Sequence, residues 1–192
     1  MKLKTDLLNP KNYNRSQYEL EEFLLLCIFV AGKSSKTQSQ KLELFLEKLN
    51  LENGIFNALS KLSIEEIKDK LIEVKAGQYN RLCGCLFILS RKQFDLNTCS
   101  CEDLESVPGI GMKTSRFFVT YSRPETNYAI LDTHILAWLR NYYPQAPKAT
   151  PTNKKEYAKY EQFFISECLR RSLKPHELDL QIWKERQKSW KV

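Results

Sequence analysis

Apolar residues recur at intervals of three and four along nearly the whole chain, and alternating β-branched runs are almost absent, which predicts an all-α fold. Ser16 opens a helix that runs through Ala31 and stops at Gly32. Its apolar run, Phe23 to Ala31, is far shorter than the roughly 20 residues a bilayer span requires, so it is read as a buried helix. The stretch 37–49 is amphipathic through Lys41, Leu42, Phe45, Leu46 and Leu49. Ser63 and Glu66 form a capping box for a helix ended by Gly77, and a further helix over 78–93 gathers Leu82, Leu86 and Leu89 on one face.

The second half is more punctuated. Ser100 and Asp103 open a helix of only two turns, which Pro108-Gly109-Ile110-Gly111 stops. The next helix, 112–121, carries Thr114, Phe117, Phe118 and Tyr121 on one side. A short apolar run, Tyr128 to Leu131, leads to Asp132, an N-cap for a helix that buries Ile135, Leu136, Leu139 and Tyr143. Three prolines mark 144–153 as a loop, and helices over 154–172 and 176–190 complete the chain, the first with Tyr157, Tyr160, Phe164 and Cys168 inward.

Composition narrows the function. With 42% hydrophobic and 28% charged residues in 192, the chain has the makeup of a folded domain rather than a disordered one. A net charge of +7 favours an anionic partner, nucleic acid or a membrane surface. No apolar run follows the N-terminal lysines, so no secretory signal is read and the protein is expected inside the cell, in the cytoplasm or at the nucleoid. The six cysteines are then expected as thiols. Cys83/Cys85 and Cys99/Cys101 invite a zinc reading, but each pair has one intervening residue where zinc sites usually have two to four, and residues two apart on a helix point to different sides.

The chemistry concentrates in two stretches, Leu104 to Thr114 and Ala129 to Leu136. Two short helices joined by a Gly-x-Gly turn leave backbone amides free at the start of the second helix, where the helix dipole also favours a phosphate oxygen. Gly109 and Gly111 allow close backbone approach to such a ligand. Lys113 lies in the first turn of that helix, and Asp132 caps another helix nineteen positions later. Each alone is an ordinary surface or capping residue. Together behind the glycine turn they make a constellation, an amine able to act as a nucleophile and a carboxylate able to stabilise positive charge. Desolvation near a helix N-terminus favours the neutral amine that attack requires. His134, two residues after Asp132, is read as a phosphate contact.

This combination resembles the helix-hairpin-helix, Gly/Pro-Asp superfamily of DNA glycosylases. The resemblance implies a two-lobed helical fold with the active site between the lobes. The expected lobes are 36–131, with the hairpin near 100–121, and 1–35 together with 132–192. It implies that Lys113 attacks the sugar C1′, that Asp132 assists from the opposite side, and that the hairpin grips the lesion strand through Val107, Gly109, Ile110, Gly111 and Thr114. Lysine at position 113 points to combined glycosylase and AP lyase activity. Only Cys168 follows Cys101, so the four-cysteine iron–sulfur cluster of some branches is not expected and no cofactor is implied beyond a monovalent cation at the Val107 and Ile110 carbonyls.

The remaining likeness runs to the compact archaeal and bacterial 8-oxoguanine DNA glycosylase/AP lyases, over about Glu19 to the chain end. Phe23 to Lys41 resembles the helix and loop that abut the lesion strand, with Lys33 expected on DNA; it departs from the family where Ala31 is followed by Gly32 and Lys33 in the loop that tends to carry Asn or Gln. Glu177-Leu178-Asp179-Leu180 with Trp183 resembles the C-terminal helix that stacks on and reads the extruded base, and the basic chain end near the lesion is represented by Lys191. A monomer acting on damaged double-stranded DNA in base excision repair is expected, with no membrane partner. A glycosylase for an oxidised pyrimidine and a non-catalytic DNA-binding module are the two alternatives.

Overall fold

In the computed structural model, residues 13–92 and 94–189 are described, with side chains through 186. Among them, ten α-helices and no strand are present: α1 (Gln17–Phe29), α2 (Ser35–Leu46), α3 (Ile55–Ser60), α4 (Ile64–Glu73), α5 (Tyr79–Leu89), α6 (Cys101–Glu105), α7 (Met112–Ser122), α8 (Thr133–Leu139), α9 (Lys154–Arg170) and α10 (Pro175–Ser189). The all-α expectation holds. None of these helices is long and apolar enough to cross a membrane.

The helix starts follow the local caps. Ser16 with Glu19, Ser63 with Glu66 and Ser100 with Asp103 each form a reciprocal capping box. The ends are shorter than the sequence pattern suggests: α1 stops at Phe29 rather than Ala31, α2 at Leu46 rather than Leu49, and α5 at Leu89 rather than Gln93. At each of these ends the cap amide bonds a carbonyl of the last turn and irregular backbone follows. Helix α3 has no counterpart in the sequence reading. Its first amides, Ile55 and Phe56, donate to the Glu21 carboxylate of α1 at 2.8 and 3.0 Å, so its cap comes from more than thirty residues away.

Two hydrophobic clusters organise these helices. The first is built on α1, buried at every residue from Leu20 to Phe29, as expected of a helix apolar all round. Around it pack Leu42, Phe45 and Leu46 of α2, Leu59 of α3, Leu71 of α4, Leu86 of α5 and Phe118 of α7. The second holds Ala129 and Leu131, Ile135, Leu136 and Leu139 of α8, Tyr157, Tyr160 and Phe164 of α9, and Leu178 and Ile182 of α10. Helix α1 thus packs with the 36–131 portion, where the sequence reading grouped residues 1–35 with the terminal helices.

Candidate active site

The hairpin of α6 and α7 is held from inside. Val107 and Ile110 are buried, and the Ile110 N–H donates to the Val107 carbonyl at 3.1 Å, closing the turn between the helices. Gly109 has φ +97°, and a Cβ there would meet Cys85 Cβ at 3.1 Å and Arg81 Cγ at 3.2 Å on α5. Its glycine is therefore demanded by packing within the protein as well as by its backbone conformation. Both glycines are exposed, but Gly111 differs in that a Cβ there would meet nothing within 4 Å.

The start of α7 has the character of an anion site. The Gly111 carbonyl accepts from Thr114 and Ser115 at 2.9 and 3.0 Å, while the amides of Met112 and Lys113 bond no backbone carbonyl among the described residues. Thr114 itself is buried, with its amide used in that bond, so it builds the helix start instead of facing a phosphate. Lys33 is exposed in the turn after α1. Arg81, which no local motif announces, joins these parts by donating to the Gly109 carbonyl at 3.0 Å and the Ile28 carbonyl at 2.9 Å.

Lys113 is the second residue of α7 and half-buried. Its positive charge is felt by Cys27 on α1 and by Asp179 on α10. Asp132 caps α8 as expected: its Oδ1 accepts from the His134 and Ile135 amides, both at 2.8 Å. The Oδ2 atom takes no hydrogen bond from the described residues and remains available to stabilise charge outside the helix. His134 is half-buried at the second position of α8.

Asp179 links the two groups. It receives a hydrogen bond from the Tyr121 hydroxyl at 2.5 Å, and it feels both the Asp132 carboxylate and the Lys113 ammonium. Burial of its carboxyl, reinforced by the Asp132 charge and opposed by Tyr121 and Lys113, pushes it up to about 7. Burial and the neighbouring Asp179 likewise push the Tyr121 phenol far up, so it stays a donor. Trp183, one turn further along α10, is 45% exposed. It is not a core tryptophan, and its indole is free to meet a ligand. Lys191 lies outside the described residues.

The cysteines take no part in this chemistry. All six are free thiols buried in the packed interior, and burial pushes Cys85 and Cys168 up to about 12 and Cys27 further still. Among the described residues no three His, Cys, Asp or Glu side chains gather as a metal would require. The sequence reading missed Tyr121, assigned there only to an apolar helix face, and the buried charges Arg116 and Glu161 behind it. No spacing rule connects them to their partners, which lie on other helices: Asp179 on α10 for Tyr121 and Glu161 on α9 for Arg116.

No family model matches the chain. Two curated relatives do, both named 8-oxoguanine DNA glycosylase/AP lyase. That of Thermoplasma volcanium is 30% identical over 174 residues, covering 85% of this chain and 78% of the relative. That of Thermoplasma acidophilum is 35% identical over 173 residues, covering 84% and 77%. Among solved structures, the 8-oxoguanine DNA glycosylase of Methanocaldococcus jannaschii aligns with a TM-score of 0.67 at 21% identity, over 96% of this chain and 86% of that one. The same archaeal enzyme in complex with a 15mer DNA containing 8-oxoguanine aligns with a TM-score of 0.69 at 20% identity, over 97% and 89%. The helical fold is therefore that of the archaeal enzyme, and by its likeness to the two Thermoplasma proteins the chain belongs to the 8-oxoguanine DNA glycosylase/AP lyase family.

Proposed function

We propose that this protein excises 8-oxoguanine from duplex DNA and nicks the resulting abasic strand, with Lys113 as nucleophile and Asp132 as the carboxylate that stabilises the charged sugar. The observation that carries this reading is the buried Asp179 carboxyl, which accepts from the Tyr121 hydroxyl on the helix of Lys113 and feels the charges of both Lys113 and Asp132. Family membership supplies the reaction class.

The chemistry follows from the groups. The neutral Lys113 amine attacks C1′ as the C1′–N bond breaks and the base departs with its electron pair, taking up a proton; Asp132 Oδ2 stabilises the positive charge that builds on the sugar. Loss of one proton from the attached nitrogen and protonation of the ring oxygen as its bond to C1′ breaks give the protonated Schiff base. That iminium acidifies the C2′ proton, whose removal expels the 3′ phosphate by β-elimination, and water then releases Lys113. The open amides at the start of α7, with Gly111 exposed beside them, would receive a phosphate of the lesion strand, while His134 and Lys33 contact neighbouring phosphates. The Val107 and Ile110 carbonyls would hold a monovalent cation, which would supply positive charge beside the phosphate. Asp179 and Trp183 form the side of the pocket that receives the extruded base, with the exposed indole as stacking surface. Genomic DNA as substrate places the enzyme's work at the nucleoid, and it acts as a monomer.

A duplex panel carrying 8-oxoguanine, an oxidised pyrimidine, undamaged guanine or a preformed abasic site, each treated with borohydride, tests this. Covalent trapping on the 8-oxoguanine and abasic duplexes, with little on the others, is expected. Trapping led by the pyrimidine lesion would shift the substrate, and none on any duplex would leave a DNA-binding protein without this chemistry.

A further inference from the structure

The covalent link between the two hydrophobic clusters is the extended segment 129–131, which ends at Asp132. With no sheet partner, its backbone is satisfied by side chains from elsewhere in the chain. The Ala129 N–H donates to Glu161 Oε1 at 3.0 Å, and the Ala129 carbonyl accepts from the Tyr157 hydroxyl at 2.8 Å. The Leu131 N–H donates to the same hydroxyl at 3.2 Å, and the Leu131 carbonyl accepts from Thr150 Oγ1 at 2.7 Å. Three side chains thus hold both ends of the segment that presents Asp132.

The other end of this scaffold reaches the nucleophile's helix. The oxygen of Glu161 that holds Ala129 also accepts from Arg116 Nε at 2.9 Å, and Arg116 Nη1 donates to Glu105 Oε1 at 2.6 Å. Arg116 is one helical turn after Lys113 on α7, and its guanidinium lies 4.6 Å from the centre of the Tyr157 ring. Arg116 and Glu161 are both buried. A buried ion pair is a weak source of stability, since desolvating two charges offsets most of their attraction; what it supplies reliably is a fixed geometry between the elements that carry it. Here those elements are α7, the helix of Lys113, and α9, whose Glu161 in turn holds the lead to Asp132 through the Ala129 amide.

We propose that Glu161 and Tyr157, anchored by Arg116, are positioning residues that set Asp132 against Lys113 across the boundary between the clusters. The inference rests on the assignment of Lys113 and Asp132 made above. Neither Glu161 nor Tyr157 touches the sugar; each acts through the backbone that carries Asp132.

Single-turnover excision from an 8-oxoguanine duplex, together with duplex affinity and melting temperature, is to be compared for wild type, D132N, E161Q, Y157F and the double variants E161Q/D132N and Y157F/D132N. Glu161→Gln keeps an acceptor for Ala129 but loses the charge that holds Arg116, and Tyr157→Phe removes only the bridging hydroxyl. Each should slow excision on the order of tenfold to a hundredfold with duplex affinity unchanged, since small misplacement of a reacting group is that costly. In the D132N background the same changes should cost less than about twofold, because coupled residues are not additive. Equal losses in both backgrounds would overturn the proposal and make the network merely structural. If E161Q does not fold, the milder Y157F decides on the same comparison. An unimpaired D132N would instead overturn the role given to Asp132 itself.

Discussion

Lys113 and Asp132 both stand at the first turn of a helix, yet the protein holds them by opposite means. The helix of Lys113 is placed by its own neighbourhood: a capping box opens α6, a glycine turn closes the hairpin, and Val107 and Ile110 anchor it in the larger cluster. The helix of Asp132 is placed from a distance, by Glu161, Tyr157 and Thr150 on a segment without regular structure. Local construction suits a backbone that must offer amides to any phosphate. Distant construction suits a carboxylate whose place matters only relative to a group in the other cluster.

The largest expected effect falls on the locally built half. Lys113→Gln should abolish nicking of a preformed abasic site while duplex affinity stays nearly unchanged, because one amine is lost from a surface dominated by phosphate contacts. Gel assays of strand cleavage and of binding separate these two quantities. On the other half, Asp132→Asn should slow base excision by roughly a hundredfold or more, while the melting temperature falls little because Asn still caps α8. Single-turnover kinetics beside thermal melts would read both, and unchanged turnover would reduce Asp132 to a cap.

A smaller effect is expected at α10. Trp183→Ala should lower excision of 8-oxoguanine by about tenfold to a hundredfold, equivalent to the roughly 1–3 kcal/mol of a base stacked on an aromatic ring, while nicking of a preformed abasic site persists. Equal loss on both substrates would remove the indole from the base pocket. Within the hairpin, the two glycines should separate. Gly109→Val should destabilise the fold, since φ is +97° and Cys85 and Arg81 are already at contact distance, whereas Gly111→Val should spare the melting temperature and weaken binding to damaged and undamaged duplexes alike.

The smallest effect is one of stability and pH. The Asp179 carboxyl titrates at about 7 in the folded protein against 3.8 for an ordinary aspartate, chiefly because it is buried. Between those two values the folded chain keeps a proton that the unfolded chain has lost, so stability declines as pH rises through that window. Asp179→Asn removes the titration and can still accept from Tyr121. Its melting temperature relative to wild type should therefore climb from pH 4 to pH 8, and a difference that does not change with pH would contradict the assignment.

The sequence makes the two halves unequally readable. Caps and a glycine turn are encoded by adjacent residues, so the α6–α7 hairpin, Lys113 in its first turn and Asp132 as N-cap are all visible from spacing alone. The scaffold behind Asp132 is not, because Glu161 looks like a solvated residue on a polar helix face until the fold buries it against Arg116. Helix α3 escaped for the same reason, its cap being Glu21 on another helix. At Gly109 the motif gives one reason for a glycine, close approach to DNA, and packing against α5 adds an internal one that spacing does not show. The core that encloses α1 is not legible either, because periodicity tells that a helix is buried and not which core buries it.

The direct test of the assignment is to locate the covalent bond. Borohydride treatment of the wild-type protein on an 8-oxoguanine duplex, followed by peptide mapping with mass spectrometry, should find the reduced sugar on the Lys113 side chain at the start of α7. An adduct on any other amine, or efficient trapping by the Lys113→Gln protein, would contradict the role of Lys113 and with it the pairing of the two helix starts.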